Sequence, residues 1–141
     1  MAYRQDLQSS ARRHFRAADE LHAVSSAGSQ PGCKAVAGYL YGVSAELAVK
    51  EIMRDSGIMP LPNAQKRSDP YYAHFPELKD LLSDVIIGRR SEELRRIAES
   101  KSLLRNWNTK MRYAHTSDIQ ATWVSEWKES ARVLIDQMDK A

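Results

Sequence analysis

Residues 33 to 56, CKAVAGYLYGVSAELAVKEIMRDS, restrict how this chain can fold more than any other stretch of it. Val36, Leu40, Val43 and Leu47 recur at helical steps on one stripe, while Tyr41, Ala48 and Ile52 widen the apolar arc towards a second side. A surface helix keeps a broad polar face, so a segment with so little of one belongs at the centre of a bundle, touching several neighbours. Gly38, Gly42, Ala45 and Ala48 present small surfaces, so another backbone is expected to come close there. Such packing would offset the ~1 kcal/mol of helix propensity lost at each glycine.

The rest of the chain supplies the neighbours. In residues 4 to 26, Leu7, Ala11, His14, Ala18, Leu21 and Ser25 recur at steps of four and three, which gives one amphipathic helix. Ser29-Gln30-Pro31-Gly32 breaks the pattern before the central helix, and Gly57 closes that helix. Residues 57 to 75 hold three of the five prolines and show no periodicity, so they read as a long loop, either mobile or functional. Pro76 opens a short helix with Leu78, Leu81, Leu82 and Val85 inward, ended by Gly88. Ser91 with Glu92 and Glu93 caps a fourth helix, whose stripe of Leu94, Ile97, Leu104, Trp107 and Met111 continues through residues 105 to 115 and places them on that helix. Ser117 or Asp118 caps a last helix facing inward through Ile119, Trp123, Trp127, Ala131, Leu134 and Met138. With no strand pattern, repeat or splitting linker, the expected fold is all-α: an antiparallel up-and-down bundle of about five helices in one domain over residues 1 to 141.

Composition removes several function classes. Charged residues are 28% and hydrophobic residues 43%, ordinary for a globular chain. The formal charge of +3, from 21 Lys and Arg against 18 Asp and Glu, permits a nucleic-acid partner without demanding one. Cys33 is the only cysteine, so an intramolecular disulfide and a multi-cysteine zinc site are excluded, and a reducing compartment fits. No apolar run reaches the ~20 residues of a membrane span, and the first fifteen residues lack a signal-peptide core, so a cytoplasmic protein with no membrane partner is expected. His14, His22, His74 and His115 share no ligand spacing, so neither a metal site nor a cofactor is expected. Ser44 and Ser102 have no paired histidine, and there is no glycine-rich phosphate loop. His74 reads as a cap or packing residue, the three tryptophans as core or dimer seam, and Lys66, Arg67, Tyr71 and Tyr72 as a solvated loop.

One stretch concentrates chemistry: Arg105-Asn106-Trp107-Asn108-Thr109-Lys110-Met111-Arg112-Tyr113-Ala114-His115. At about 100° per residue on a continuous helix, Lys101, Arg105, Asn108 and Arg112 share one flank, about 40° to 100° from the core line. That ridge could pair with a neighbouring helix, line a groove or face itself across a symmetric dimer. Glu46, on the apolar central helix, is the counter-charge within the chain, and burying it calls for Arg105 or Arg112. The functional alternative is a phosphate or nucleotide held by the guanidinium forks.

The residues also carry a resemblance. Gly42-Val43-Ser44-Ala45-Glu46-Leu47-Ala48-Val49-Lys50 resembles the A-x-E-x-A-x-K signature of HEPN domains, the nucleotide-binding domains of higher eukaryotes and prokaryotes. His74-Phe75-Pro76-Glu77-Leu78 is similar to the segment opening that family's third helix, and Trp107 through Arg112-Tyr113 to its aromatic then Arg-Tyr ending. The resemblance spans about residues 30 to 138. It implies an antiparallel helical bundle of the nucleotidyltransferase substrate-binding-subunit type, commonly a homodimer, encoded beside a minimal nucleotidyltransferase in toxin-antitoxin-like systems. Active ribonucleases of the family place a histidine four to six residues after an Arg and polar pair. Here Arg105-Asn106 is followed at that distance by Lys110, Met111 or Arg112, and His115 comes ten residues after Arg105. A general base needs a pKa near the working pH, which arginine never offers.

The non-catalytic branch is therefore the expectation: a nucleotide- or RNA-binding module acting with a nucleotidyltransferase partner. Glu46 and Arg105 would organise the groove, and Asn106, Lys110, Arg112 and Tyr113 would contact the ligand. The alternatives are a divergent metal-independent ribonuclease using Arg105, Arg112 and His115, and a structural dimerisation module.

Overall fold

The computed structural model describes residues 5 to 26, 33 to 62, 68 to 86 and 92 to 140. Within them lie helices α1 (Leu7–Ser26), α2 (Cys33–Asp55), α3 (Glu77–Val85), α4 (Glu92–Glu99) and α5 (Ala121–Lys140), with 3-10 turns at Pro70–Tyr72, Thr109–Tyr113 and Thr116–Asp118 and no strand. The Ser29 to Gly32 break, Lys66, Arg67, Gly88 and Ser91 lie outside the described residues. No described helix is long and apolar enough to cross a membrane.

The chain is a helical bundle built on α2, which packs along both α1 and α5. Ser44 donates to the Ala11 carbonyl (2.7 Å) and Tyr41 to Asp19 (2.5 Å), so α1 and α2 run antiparallel. Arg12 pairs with Asp139 and Asp19 with Lys128, so α1 is antiparallel to α5 as well. The buried side of α2 is Tyr41, Ala45, Ala48, Val49 and Ile52. The stripe that leads in the sequence is the other face: Leu40, Val43 and Leu47 are half-buried and Val36 is 50% exposed. Hydropathy alone does not rank two apolar faces of one helix. The small residues decide, because the bulkiest neighbours seat where α2 is thinnest.

Gly38 and Gly42 admit indole rings there, not a second backbone. A Cβ on Gly42 would lie 2.0 Å from Trp107 Cε2 and Nε1, and one on Gly38 would lie 2.8 Å from Trp127 Cζ3. Trp107 Nε1 donates to the Gly38 carbonyl (3.1 Å), and Trp127 Nε1 to the Arg105 carbonyl (2.8 Å). The two rings thus bolt the segment after α4 to α2 and α5.

Gly57 ends α2 in the left-handed region (φ +82°), which glycine enters at no steric cost. The buried Asp69 carboxylate then accepts from the Leu61 (2.9 Å) and Tyr71 (3.0 Å) amides, and the Tyr71 hydroxyl donates to the Ile58 carbonyl (2.5 Å). The two described ends of the 57 to 75 connection are tied together in this way.

The fourth helix is shorter than its apolar stripe predicts. Leu94, Ile97, Leu104, Trp107 and Met111 are all buried, yet α4 stops at Glu99. Lys79 on α3 donates to the Ser100 (2.8 Å) and Leu103 (3.0 Å) carbonyls, groups that a continuing helix would satisfy itself. Ser100 Oγ accepts from the Leu103 amide (3.2 Å), and the backbone turns through positive φ at Leu104 (52°) and Asn106 (71°). Lys101, Arg105, Asn108 and Arg112 therefore do not share a helix flank. Likewise Ser117 and Asp118 sit in a 3-10 turn ahead of α5 and do not cap it.

Tyr41 gives the bundle an alkaline limit. Burial, followed by the hydrogen bond to Asp19 and its charge, holds the phenol well above its usual pKa near 10. The folded state keeps this proton after the unfolded chain has lost it, so the contribution is intact below pH ~10 and is lost as pH rises beyond. Stability is expected to fall there by up to about 1.4 kcal/mol per pH unit. Lys79, held below its usual range by burial, contributes in the opposite sense in both proteins and cancels when Tyr41→Phe is compared with the parent. Urea melts from pH 9 to 11 should give a shallower decline for Tyr41→Phe; parallel curves would refute the assignment.

Candidate functional site

Residues 100 to 118 hold most of the candidate site residues, and their path follows from short-range bonds. Asn108 caps the Thr109–Tyr113 turn by accepting from the Lys110 amide (2.9 Å), and Met111 inside that turn is buried. With Trp107 and Met111 held inward, the intervening polar side chains face outward. Lys101, Arg105, Asn106, Lys110, Arg112, Tyr113 and His115 are all exposed. From residue 101 to 115 there is no Asp or Glu, and among the described residues no carboxylate pairs with Lys101, Arg105, Lys110 or Arg112.

Arg112 is the organised member of this ribbon. Its Nε donates to the Thr109 carbonyl (3.1 Å), which leaves the two terminal nitrogens to a ligand. The guanidinium lies over the rings of Tyr39 (5.9 Å) and Tyr113 (5.3 Å), the geometry of a cation held by aromatic faces. Below it runs an open groove of about 290 Å³, lined by Ala35, Val36 and Tyr39 of α2 and by Met111, Arg112, Ala114 and Thr116. Apolar walls with one fork of donors at the rim suit a flat ring carrying an anionic group.

Glu46 does not belong to this groove. It is buried, and its carboxylate meets Lys50 Nζ (3.0 Å) and His74 Nδ1 (2.8 Å), not Arg105 or Arg112. Helix geometry explains this, since Lys50 stands four residues on, one turn along the same face. His74, expected to cap or pack at the start of α3, is instead the outer partner of this carboxylate, with its side chain 57% exposed. Arg105, Asn106, Lys110 and His115 do not line the groove either, though all lie on the same exposed ribbon.

His115 is engaged locally. Its Nδ1 accepts from the Ser117 amide (3.2 Å) and lies 2.8 Å from the Ser117 hydroxyl, so this nitrogen is engaged in capping the turn. A general base acts through a nitrogen free to meet the substrate. No protein-family model matches the chain, and no curated protein or solved structure does.

Tyr39 and Thr116 carry no signal that sequence reasoning used, and Val36 enters it only in the apolar stripe of the central helix. Tyr39 lies three positions before Gly42, where Trp107 seats, and the signal was available in principle: a ring one helical turn from a small-residue seat flanks whatever occupies that seat. Among the described residues, no three His, Cys, Asp or Glu side chains are grouped as a metal site needs.

Proposed function

We propose that the protein is a HEPN-like module that binds RNA or a nucleotide along residues 101 to 115 and acts without catalysis of its own. One observation carries this: four exposed cations in an acid-free ribbon, with no carboxylate pairing among the described residues, beside a groove topped by Arg112. Other cations of the bundle have partners that account for them: Lys50 meets Glu46, Arg132 meets Glu129 and Asp136, and Lys79 meets two backbone carbonyls. Those of the ribbon are left for phosphate oxygens. The absence of catalysis is supported by the histidine missing at the ribonuclease spacing and by the engagement of His115 Nδ1 with Ser117. A homodimer and a nucleotidyltransferase partner complete the reading; the half-buried Leu40, Val43 and Leu47 support the former, and resemblance alone supports the latter.

The test is fluorescence anisotropy of labelled single-stranded RNA in EDTA over a range of NaCl. Binding should weaken with salt, and Arg105→Ala with Arg112→Ala should lower affinity at least about tenfold. The slope of log K against log salt should fall by about 0.7 for each phosphate that is no longer neutralised. Undiminished binding by the double variant would remove these residues from the site. RNA cleavage that disappears in His115→Ala would replace the non-catalytic reading with a ribonuclease.

A further inference from the structure

The rings around Arg112 form a connected series from the core to the surface. Trp107 is buried and seated on Gly42; Tyr39 lies nearly parallel to it, with centroids 5.8 Å apart and 15° between planes. The Arg112 guanidinium lies over Tyr39 and also over Tyr113, whose side of the series is the outermost. Tyr113 is 81% exposed, the most exposed large hydrophobic side chain described, so at most one of its faces is covered and the other meets water. Such a ring, in a segment whose Leu104, Trp107 and Met111 are buried and whose Leu103 is half-buried, is held out by its turn without contributing to the core. The turn is itself fixed by the Asn108 cap and by Met111.

We infer that Tyr113 is a stacking platform for an unpaired base, so that the ligand is single-stranded RNA and not a duplex. This rests on the RNA reading above and narrows its substrate class. A π-face accepts any base that is out of its own stack, whereas paired bases in an A-form helix present phosphates and 2′-hydroxyls and keep their faces covered. The cationic ribbon would then follow the phosphates while the open face of Tyr113 takes one base. Arg112, held over the ring's other face, keeps the platform from rotating away.

The experiment compares a labelled single strand with the same strand annealed to its complement, using the parent chain, Tyr113→Ala and Tyr113→Phe. Because Tyr113 is exposed, both substitutions leave the core as it is, which circular dichroism checks. The expected result is tighter binding of the single strand, a loss of about tenfold or more for Tyr113→Ala, and binding by Tyr113→Phe within about twofold of the parent. Duplex affinity should be the same for all three. Single-strand binding that stays salt-dependent and sensitive to Arg112→Ala but ignores Tyr113→Ala would overturn the platform and leave the RNA reading standing. Equal losses in Tyr113→Phe and Tyr113→Ala would assign the effect to the hydroxyl and also overturn it. No binding of either RNA by the parent chain would overturn the RNA reading and the platform together.

Discussion

Glu46→Ala is expected to destabilise the fold by about 3 to 5 kcal/mol, the range seen when one member of a buried ion pair is removed. In a chain of this length that lowers the melting temperature by about 10 to 17 °C. The reason lies in what remains. Lys50 is 6% exposed, and without Glu46 its ammonium has no other carboxylate among its described partners. Lys50→Met should be costly for the mirror reason, leaving a carboxylate that is 5% exposed with only the His74 ring beside it. The pair is not thereby a net source of stability, since desolvating both charges consumes most of what their attraction returns. Glu46→Leu combined with Lys50→Met should accordingly recover much of the loss seen in either single variant. His74→Ala should cost under about 1 kcal/mol, because that side chain is largely exposed and the buried pair survives it. Urea denaturation at constant m gives all four numbers. A double variant no more stable than Lys50→Met alone would show that Glu46 and Lys50 do not act as a pair.

Which parts of this architecture were legible in sequence follows from how local each determinant is. The positions of α1, α2, α3 and α5 are written in periodicity and in Pro76 and Gly57, each acting within one turn of where it stands. The inward set after Ser91 was legible too, since Leu94, Ile97, Leu104, Trp107 and Met111 are all buried. Their path was not. The signals that end α4 are weak ones, Ser100, Ser102, Asn106 and Asn108, residues that bond to nearby backbone instead of continuing a helix. The decisive group, Lys79, acts from another helix.

For the site, the same distinction holds. Arg105, Asn106, Lys110, Arg112, Tyr113 and His115 sit on one exposed ribbon, as clustering in sequence implies. The partners that organise it, Tyr39 for Arg112 and Gly38 for Trp107, are separated from it by about seventy residues of chain. Burial of Glu46 demands a cation, and the guanidinium fork makes a distant arginine attractive, while the nearer candidate, Lys50, stands one turn away.

Gly42→Ala joins fold and site in one substitution, and its expected effect is a net loss of about 2 kcal/mol with weakened RNA binding. In an exposed helix the change would be favourable by ~1 kcal/mol. Here the new methyl would stand 2.0 Å from two indole atoms of Trp107, far inside van der Waals contact. Such an overlap is relieved cheaply only if the ring can move, and Trp107 is held on three sides. Its Nε1 is bonded to Gly38, its face lies against Tyr39, and its backbone amide donates to the Leu104 carbonyl (3.0 Å). Overpacking of a fixed core typically costs 1 to 3 kcal/mol, and the size of this overlap puts it towards the upper end of that ~3 kcal/mol range. Displacing the indole also shifts Tyr39, on which Arg112 rests, so RNA affinity should fall even in the fraction that stays folded. Trp107→Phe removes the indole nitrogen and the fused-ring carbon that the methyl meets most closely. In that background Gly42→Ala should be close to neutral, giving a coupling energy of about 2 kcal/mol in the cycle. If Gly42→Ala destabilises both backgrounds equally, the contact between this glycine and the indole is not what holds the ribbon in place.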